Sequence, residues 1–230
     1  MVKSRAKRSG PDSIQVDMVS DIVCPWCWLG KRYFDQAVQK NGAKVNVTYR
    51  PYMLDPTVPK DGLPYRDYMK SKFGDKPDNR FSAMREQLEK SAPDAGIHFR
   101  FSELTVRPNT MRAHCLIRWA QGQSPNKGGH VKEALFKAYF DELRDIGDID
   151  VLCDIAKAND MDAALVRELL IEGRDVKDVA EEMAFFRGLG ISGVPTFIYN
   201  GQFAVQGAQP VAAHIQAIAQ AAEMPAQDDE

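Results

Sequence analysis

Four consecutive residues, Cys24-Pro25-Trp26-Cys27, hold the chemistry that this chain most plainly offers. Two thiols three positions apart can cycle between a dithiol and a disulfide. They follow the strand-like run Ile14 to Val19 and stand at the mouth of a helix-like run. A helix N-terminus carries about half a positive charge and unpaired N–H groups, so a sulfur held there is stabilised as thiolate, the form that attacks a disulfide. Cys27 lies one helical turn on, on the same face, where it can reach back and release whatever is bonded to Cys24. The two are therefore candidate catalytic residues, Cys24 attacking and Cys27 resolving.

Other uses of such a pair fit less well. A zinc site needs four ligands, usually a second pair at similar spacing. Cys115 and Cys153 stand apart, and His98, His114, His130 and His214 have no metal-binding spacing, so no metal is expected. A static disulfide across two residues would constrain the unfolded chain very little.

The elements that must position the thiols are readable from pattern. Residues 14–50 read as strand, helix, strand: Pro25 suits a first helical turn, Asn41-Gly42 suits its end, and Val45, Val47 and Tyr49 alternate with polar residues. The stretch from Pro51 to Pro64, which holds four prolines counting both ends, marks a long irregular connection. Helical pattern then fills 65–73, 78–92, 109–121, 129–143, 148–159, 161–172 and 175–188. Cys115 recurs with Met111 and Trp119, and Cys153 with Ile149 and Ala156, so both are expected to be inert core thiols. Thr196 to Tyr199 and Phe203 to Gln206 flank the hairpin signal Asn200-Gly201, and a last helix covers about 210–222. The order β-α-β, helices, β-β-α describes an α/β thioredoxin-like fold with a large all-helical insertion. The expected division is 14–60 and 189–222 for the two parts of the sheet domain and 61–188 for the insertion, with 1–13 and 223–230 as disordered tails.

The chain has 230 residues, 44% of them hydrophobic, so a large core is available. Lys and Arg number 30 against 32 Asp and Glu, for a formal charge of −2, which argues against nucleic acid or an acidic membrane as partner. The basic residues Lys3, Arg5, Lys7 and Arg8 are not followed by the apolar stretch of about 7–15 residues that a secretory signal requires. No transmembrane run is evident. A cytoplasmic location is expected, where a Cys-x-x-Cys is usually catalytic or metal-binding.

Several segments together carry a resemblance. Ser20-Asp21-Ile22-Val23 with Cys24 to Gly30, Tyr49 to Pro56, Asn109-Thr110 with Ala113-His114, and Gly193 to Phe197 with Gly207 to Pro210 are similar, in order, to the FrnE-like branch of the DsbA family. The resemblance covers about 14 to 220. It implies a DsbA-like fold and disulfide oxidoreductase or isomerase activity on protein or low-molecular-weight thiol and disulfide substrates, with a separate reductant or oxidant to reset the pair. No tightly bound cofactor is implied, though glutathione is a candidate redox partner. The related glutathione-dependent isomerases of 2-hydroxychromene-2-carboxylate carry serine where Cys24 stands. Secreted DsbA enzymes often carry His at the position of Trp26, and without that imidazolium a weaker oxidant is expected.

Further site residues follow. The resemblance implies a cis Val194-Pro195 bond that sets Pro195 against the Cys24 sulfur, with the Val194 backbone, Pro25 and Trp26 as the substrate-binding surface. Asp21 and Asp17 are candidates to relay the Cys27 proton, and Asp21 is equally placed to cap the helix. Trp26 and Trp28 are candidates for an apolar landing surface, with core packing expected for at least one of them, and His114 reads as a hydrogen-bonded core histidine. Tyr52, Met53, Tyr65, Tyr68, Met69 and Met84 are placed to line a groove between the domains, but at helical spacing such residues are more often core, and they are not counted as site residues. Two other functions remain open: a glutathione-using isomerase of small aromatic or polyketide-like molecules, and a redox-sensing or chaperone-like binding protein. The oligomeric state is not read from the sequence.

Overall fold

The computed structural model describes residues 13–74 and 80–224. Chain order runs β1 (Ile14–Ser20), α1 (Pro25–Asn41), β2 (Val45–Pro51), β3 (Leu63–Pro64), α2 (Tyr65–Phe73), α3 (Arg80–Ser91), β4 (Val106–Arg107), α4 (Met111–Gln123), α5 (Pro125–Phe140), α6 (Ile149–Ala158), α7 (Ala163–Glu172), α8 (Val176–Gly188), β5 (Thr196–Tyr199), β6 (Phe203–Gln206) and α9 (Val211–Glu223). The expected tails fall outside the described residues except at Ser13 and at Glu223, which closes α9, and Met224. The first two positions of the helix expected at 78–92 also lie outside them.

Four strands form one sheet in the order β2-β1-β5-β6, with β1 parallel to β2 and antiparallel to β5. A parallel neighbour cannot follow through a tight turn, and α1 makes the crossover from β1 to β2. It ends where Gly42 takes a left-handed φ of 71° and donates its N–H to Val38. Asn200 and Gly201 are both left-handed and turn β5 into β6 through a three-residue loop.

Alternation along β1 separates two faces. Val16 and Met18 join the core under α1 and α9, where Phe34 stacks on Phe197 and meets His214 edge-on. Val19 faces the other way, into a smaller cluster with Tyr52, Phe186 of α8 and Ile191. Asp17 shares that second face.

The helices between β2 and β5 join the sheet domain through Trp28. Its ring stacks on Phe136 and Phe140 of α5 at 6.1 and 5.9 Å and meets Phe99 edge-on, while Nε1–H donates to Glu133 at 2.7 Å. Lys31 binds Asp35 and Glu133 at 2.7 and 3.2 Å along the same seam. The α5 helix begins four residues before its expected start at 129. Ser124 accepts from the Lys127 N–H as N-cap, Pro125 occupies the first turn, and Gly128-Gly129 lie inside the helix rather than ahead of it. A Cβ on Gly128 would fall 2.5 Å from that of Gln121, and one on Gly129 2.8 Å from the Tyr49 hydroxyl. Glycine stands at both positions because α4 and β2 leave no room for a side chain.

Candidate functional site

Ser20 ends β1, and the chain turns so that the Cys24 N–H donates to the Asp21 carbonyl at 3.2 Å. Cys24 is the N-cap of α1, extended at φ −94°, ψ 109°, and Pro25 takes the first helical position. The Cys24 carbonyl accepts from the Cys27 and Trp28 N–H groups at 3.0 and 3.4 Å, which fixes the two thiols one turn apart. No side chain caps this terminus, so the capping role expected for Asp21 is not what the structure has.

Across from Cys24 lies the loop ahead of β5. The Val194-Pro195 peptide is cis, and the Cys24 thiol donates to the Val194 carbonyl at 3.7 Å. Gly30 lets this loop close on α1: a Cβ there would stand 2.9 Å from Pro195 Cγ and 3.3 Å from Ala208 Cα. Both cysteines are free thiols. Cys24 is 4% exposed and Cys27 wholly enclosed, so only the first can meet a substrate.

A buried group of charges lies beneath the thiols. Asp21 is enclosed, its Oδ2 accepting the Leu54 N–H at 2.8 Å, with His114 Nε2 3.6 Å from Oδ1. Burial alone would raise its carboxyl, but His114 and Arg107 hold it below the ordinary range. His114 donates from Nε2 to the Tyr52 carbonyl at 3.0 Å, the buried, bonded histidine that was expected. Lys132 of α5 is 1% exposed, its ammonium over the rings of Tyr49 and Phe136 at 5.4 and 5.5 Å. Burial pushes Lys132 down to about 8, against the opposing pull of Cys27 and Asp21. Burial also drives Cys27 well above a free thiol, reinforced by its hydrogen bond to Cys24 and repulsion from it. Cys27 therefore holds its proton firmly, and Lys132, whose own hold on a proton is weakened by burial, lies close enough to feel the charge of Cys27.

Asp17, the other candidate relay, is not brought to the thiols. Its carboxylate accepts from Arg50 Nε at 2.6 Å, and Arg50 in turn binds Glu182 of α8 at 2.9 Å, on the other face of the sheet. The residue that sequence reasoning missed is Lys132. Its signal was available: Val131, Lys132, Leu135, Phe136 and Tyr139 recur at helical spacing, which puts a lysine on a stripe otherwise apolar.

An apolar chamber of about 320 Å³ opens beside Cys24. Trp26 lines it, while Trp28 lies in the core. Tyr65, Tyr68, Met69 and Met84, whose spacing favours the core over a groove, form the opposite wall, whereas Tyr52 and Met53 are buried elsewhere. Cys115 is enclosed among Met53, Val179 and Met183 and pushed up to about 12 by burial; Cys153 is buried in the main core. Among the described residues no group of three or more His, Cys, Asp or Glu side chains is placed to hold a metal, and no helix is long and apolar enough to cross a membrane.

Residues 15–219 match the DSBA-like thioredoxin domain. The uncharacterized protein YwbO of Bacillus subtilis (strain 168) is 28% identical over 198 residues, covering 85% of this chain and 91% of its own. The crystal structure of a probable DsbA oxidoreductase from Streptomyces coelicolor superposes with a TM-score of 0.82 at 27% identity, over 94% of this chain and 93% of that one. The cytosolic disulfide reductase DsbM of Pseudomonas aeruginosa, solved with GSH, shares the fold, with a TM-score of 0.61 at 13% identity over 90% and 95% of the two chains. With its thiol pair at a helix mouth facing the loop before β5, this chain belongs to the DsbA-like thioredoxin domain family.

Proposed function

We propose that the protein is a thiol–disulfide oxidoreductase whose working pair is Cys24 and Cys27. One observation carries the reading: Cys24 meets the chamber and the Val194 carbonyl while Cys27 is sealed beneath it. Cys24 thiolate attacks one sulfur of a substrate disulfide, forms a mixed disulfide and expels the other sulfur as a thiolate, which takes a proton from solvent. Cys27 then gives its proton to the Lys132 amine and attacks the Cys24 sulfur, leaving a Cys24–Cys27 disulfide and the second substrate thiolate. The substrate gains two electrons and the enzyme loses them; run backwards, the sequence oxidises a dithiol.

In this reading Lys132 is the base for the resolving step. Asp21 acts through its charge, which stabilises the ammonium that Lys132 becomes on taking the Cys27 proton. Val194, Pro195, Pro25 and Trp26 form the substrate surface. No tightly bound cofactor takes part, and a thiol such as glutathione resets the pair. The FrnE-like branch, a cytoplasmic setting and the division at 60 and 188 belong to the same proposal.

Insulin reduction and refolding of scrambled ribonuclease, measured for the protein and its Cys24→Ser variant, test it. Turnover that disappears with Cys24 supports exchange. Turnover of a small molecule that survives the substitution would make the protein an isomerase instead, and binding without any turnover would make it a holdase.

A further inference from the structure

We infer that the chamber beside Cys24 selects low-molecular-weight disulfides that carry an aromatic or similarly apolar group next to the reacting sulfur. The inference rests on the exchange chemistry proposed above and adds the substrate class. Its volume, about 320 Å³, lies at the small end of the range that encloses an organic ligand, about 300–1,000 Å³. Cys24 is part of its wall, so a molecule seated there presents its sulfur where the attacking thiol already is.

The opposite wall is aromatic and thioether. Tyr65, Tyr68 and Met69 come from α2, Met84 from α3 and Phe140 from α5, so the inserted helices supply what the sheet domain lacks. Methionines adapt to flat rings of differing outline, and ring edges accept sulfur well. Part of the wall is held in place from outside. Asp55 accepts from the Tyr68 hydroxyl at 3.1 Å and from Lys72 at 3.3 Å, and the Arg107 guanidinium lies 5.0 Å over the Tyr68 ring.

Charge narrows the choice further. Among the described residues, Lys72 and Arg107 are the charged residues in the lining, and no Asp or Glu is among them; Lys72 is paired with Asp55 behind the wall. An ammonium entering the chamber loses its hydration and meets the Arg107 guanidinium and the Asp55-paired Lys72, whereas a carboxylate meets donors of complementary charge. Glutathione brings both signs on a polar peptide, for which an apolar wall offers few partners. An aryl or benzyl group fits the wall without such cost. The exchange itself is unchanged: the bound disulfide is the oxidant, two substrate thiols leave, and the enzyme is left with its Cys24–Cys27 disulfide.

Binding is measured first without the chemistry. The full-length Cys24→Ser variant is titrated calorimetrically with S-methyl, S-propyl, S-benzyl and S-naphthylmethyl thioethers of 2-mercaptoethanol. Affinity is expected to rise about four-fold for each buried methylene. A 4-carboxybenzyl probe should bind at least ten-fold more tightly than its 4-aminomethyl counterpart, and Met84→Glu should abolish the gradient. In the wild type, the benzyl thioether should inhibit disulfide turnover competitively. Affinities within three-fold across the series, or S-methylglutathione binding as tightly as the benzyl probe, would overturn the inference whatever the fate of Met84→Glu. The steep gradient in a protein that turns over no disulfide would leave the chamber standing and remove the proposed activity; disulfide turnover that a saturating benzyl probe leaves untouched would do the reverse.

Discussion

Lys132→Met should make the protein more stable and a poorer catalyst. The side chain is enclosed, and burial brings its amine from 10.5 down to about 8. At neutral pH the folded protein therefore holds a cation that the unfolded chain hydrates freely. A shift of that size is worth about 3 kcal/mol at about 1.4 kcal/mol per unit. The sign follows from proton counts: between pH 8 and 10.5 the unfolded chain keeps a proton that the folded one has lost, so this lysine's contribution to stability rises with pH. Methionine has similar reach and no charge. The variant should gain up to about 3 kcal/mol at pH 7, about 2 at pH 9 and under about 1 at pH 10, less whatever the cation gained over Tyr49 and Phe136. Urea unfolding of both proteins across pH 6–10 reads this directly. In parallel, release of substrate thiol from the Cys24 mixed disulfide should slow by about 100-fold or more, the usual worth of a placed base, and lose its inflection near pH 8. A stability gap that stays constant with pH, or a variant less stable at pH 7, would refute the account of a strained buried cation. An unchanged release rate would refute its role as base.

Other perturbations have equally definite outcomes. Trp28→Ala removes the ring that stacks on Phe136 and Phe140, and should cost about 3–5 kcal/mol in chemical denaturation. Gly30→Ala drives a methyl against Pro195 and Ala208, at a cost of about 1–3 kcal/mol; the displaced Val194 carbonyl should slow mixed-disulfide formation, seen in stopped-flow, while circular dichroism stays native. His214 lies against Tyr199, its Nδ1 2.8 Å from the hydroxyl, and burial lowers it from 6.5 to about 4. Its neutral form is the folded one, so its contribution is complete above pH 6.5 and falls away towards pH 4, by at most about 3 kcal/mol. His214→Leu should flatten that acid limb of the melting curve, at the price of a constant loss from the unpaired Tyr199 hydroxyl.

What could be read before folding was what local backbone demands. Asn41-Gly42 ends a helix and Asn200-Gly201 turns a hairpin because few other residues take left-handed φ so readily. The thiol pair and Pro195 were legible for the same reason, since their chemistry or backbone admits few substitutes. Tertiary approach was not legible. Gly128-Gly129 look like a helix boundary until Gln121 and the Tyr49 hydroxyl are found where their side chains would go. Tyr65 and Met69 have a period that serves a core and a chamber wall equally well. Asp17 and Asp21 are four residues apart in sequence, but one lies on the α8 face of β1 and the other beyond the strand's end beneath the thiols. Lys132 was passed over because a lysine is read as a surface residue unless its neighbours on the stripe are weighed.

The span of chain between Cys24 and Val194 matters for how the protein is made. At about 5–20 residues per second, the ribosome needs roughly 10–30 s to go from one to the other. Through that interval Cys24 lacks its Val194 partner, and the helix bearing Lys132 is made before the loop that faces Cys24. A nascent chain of this kind cannot complete the setting of Cys24 until the loop bearing Val194 has been made.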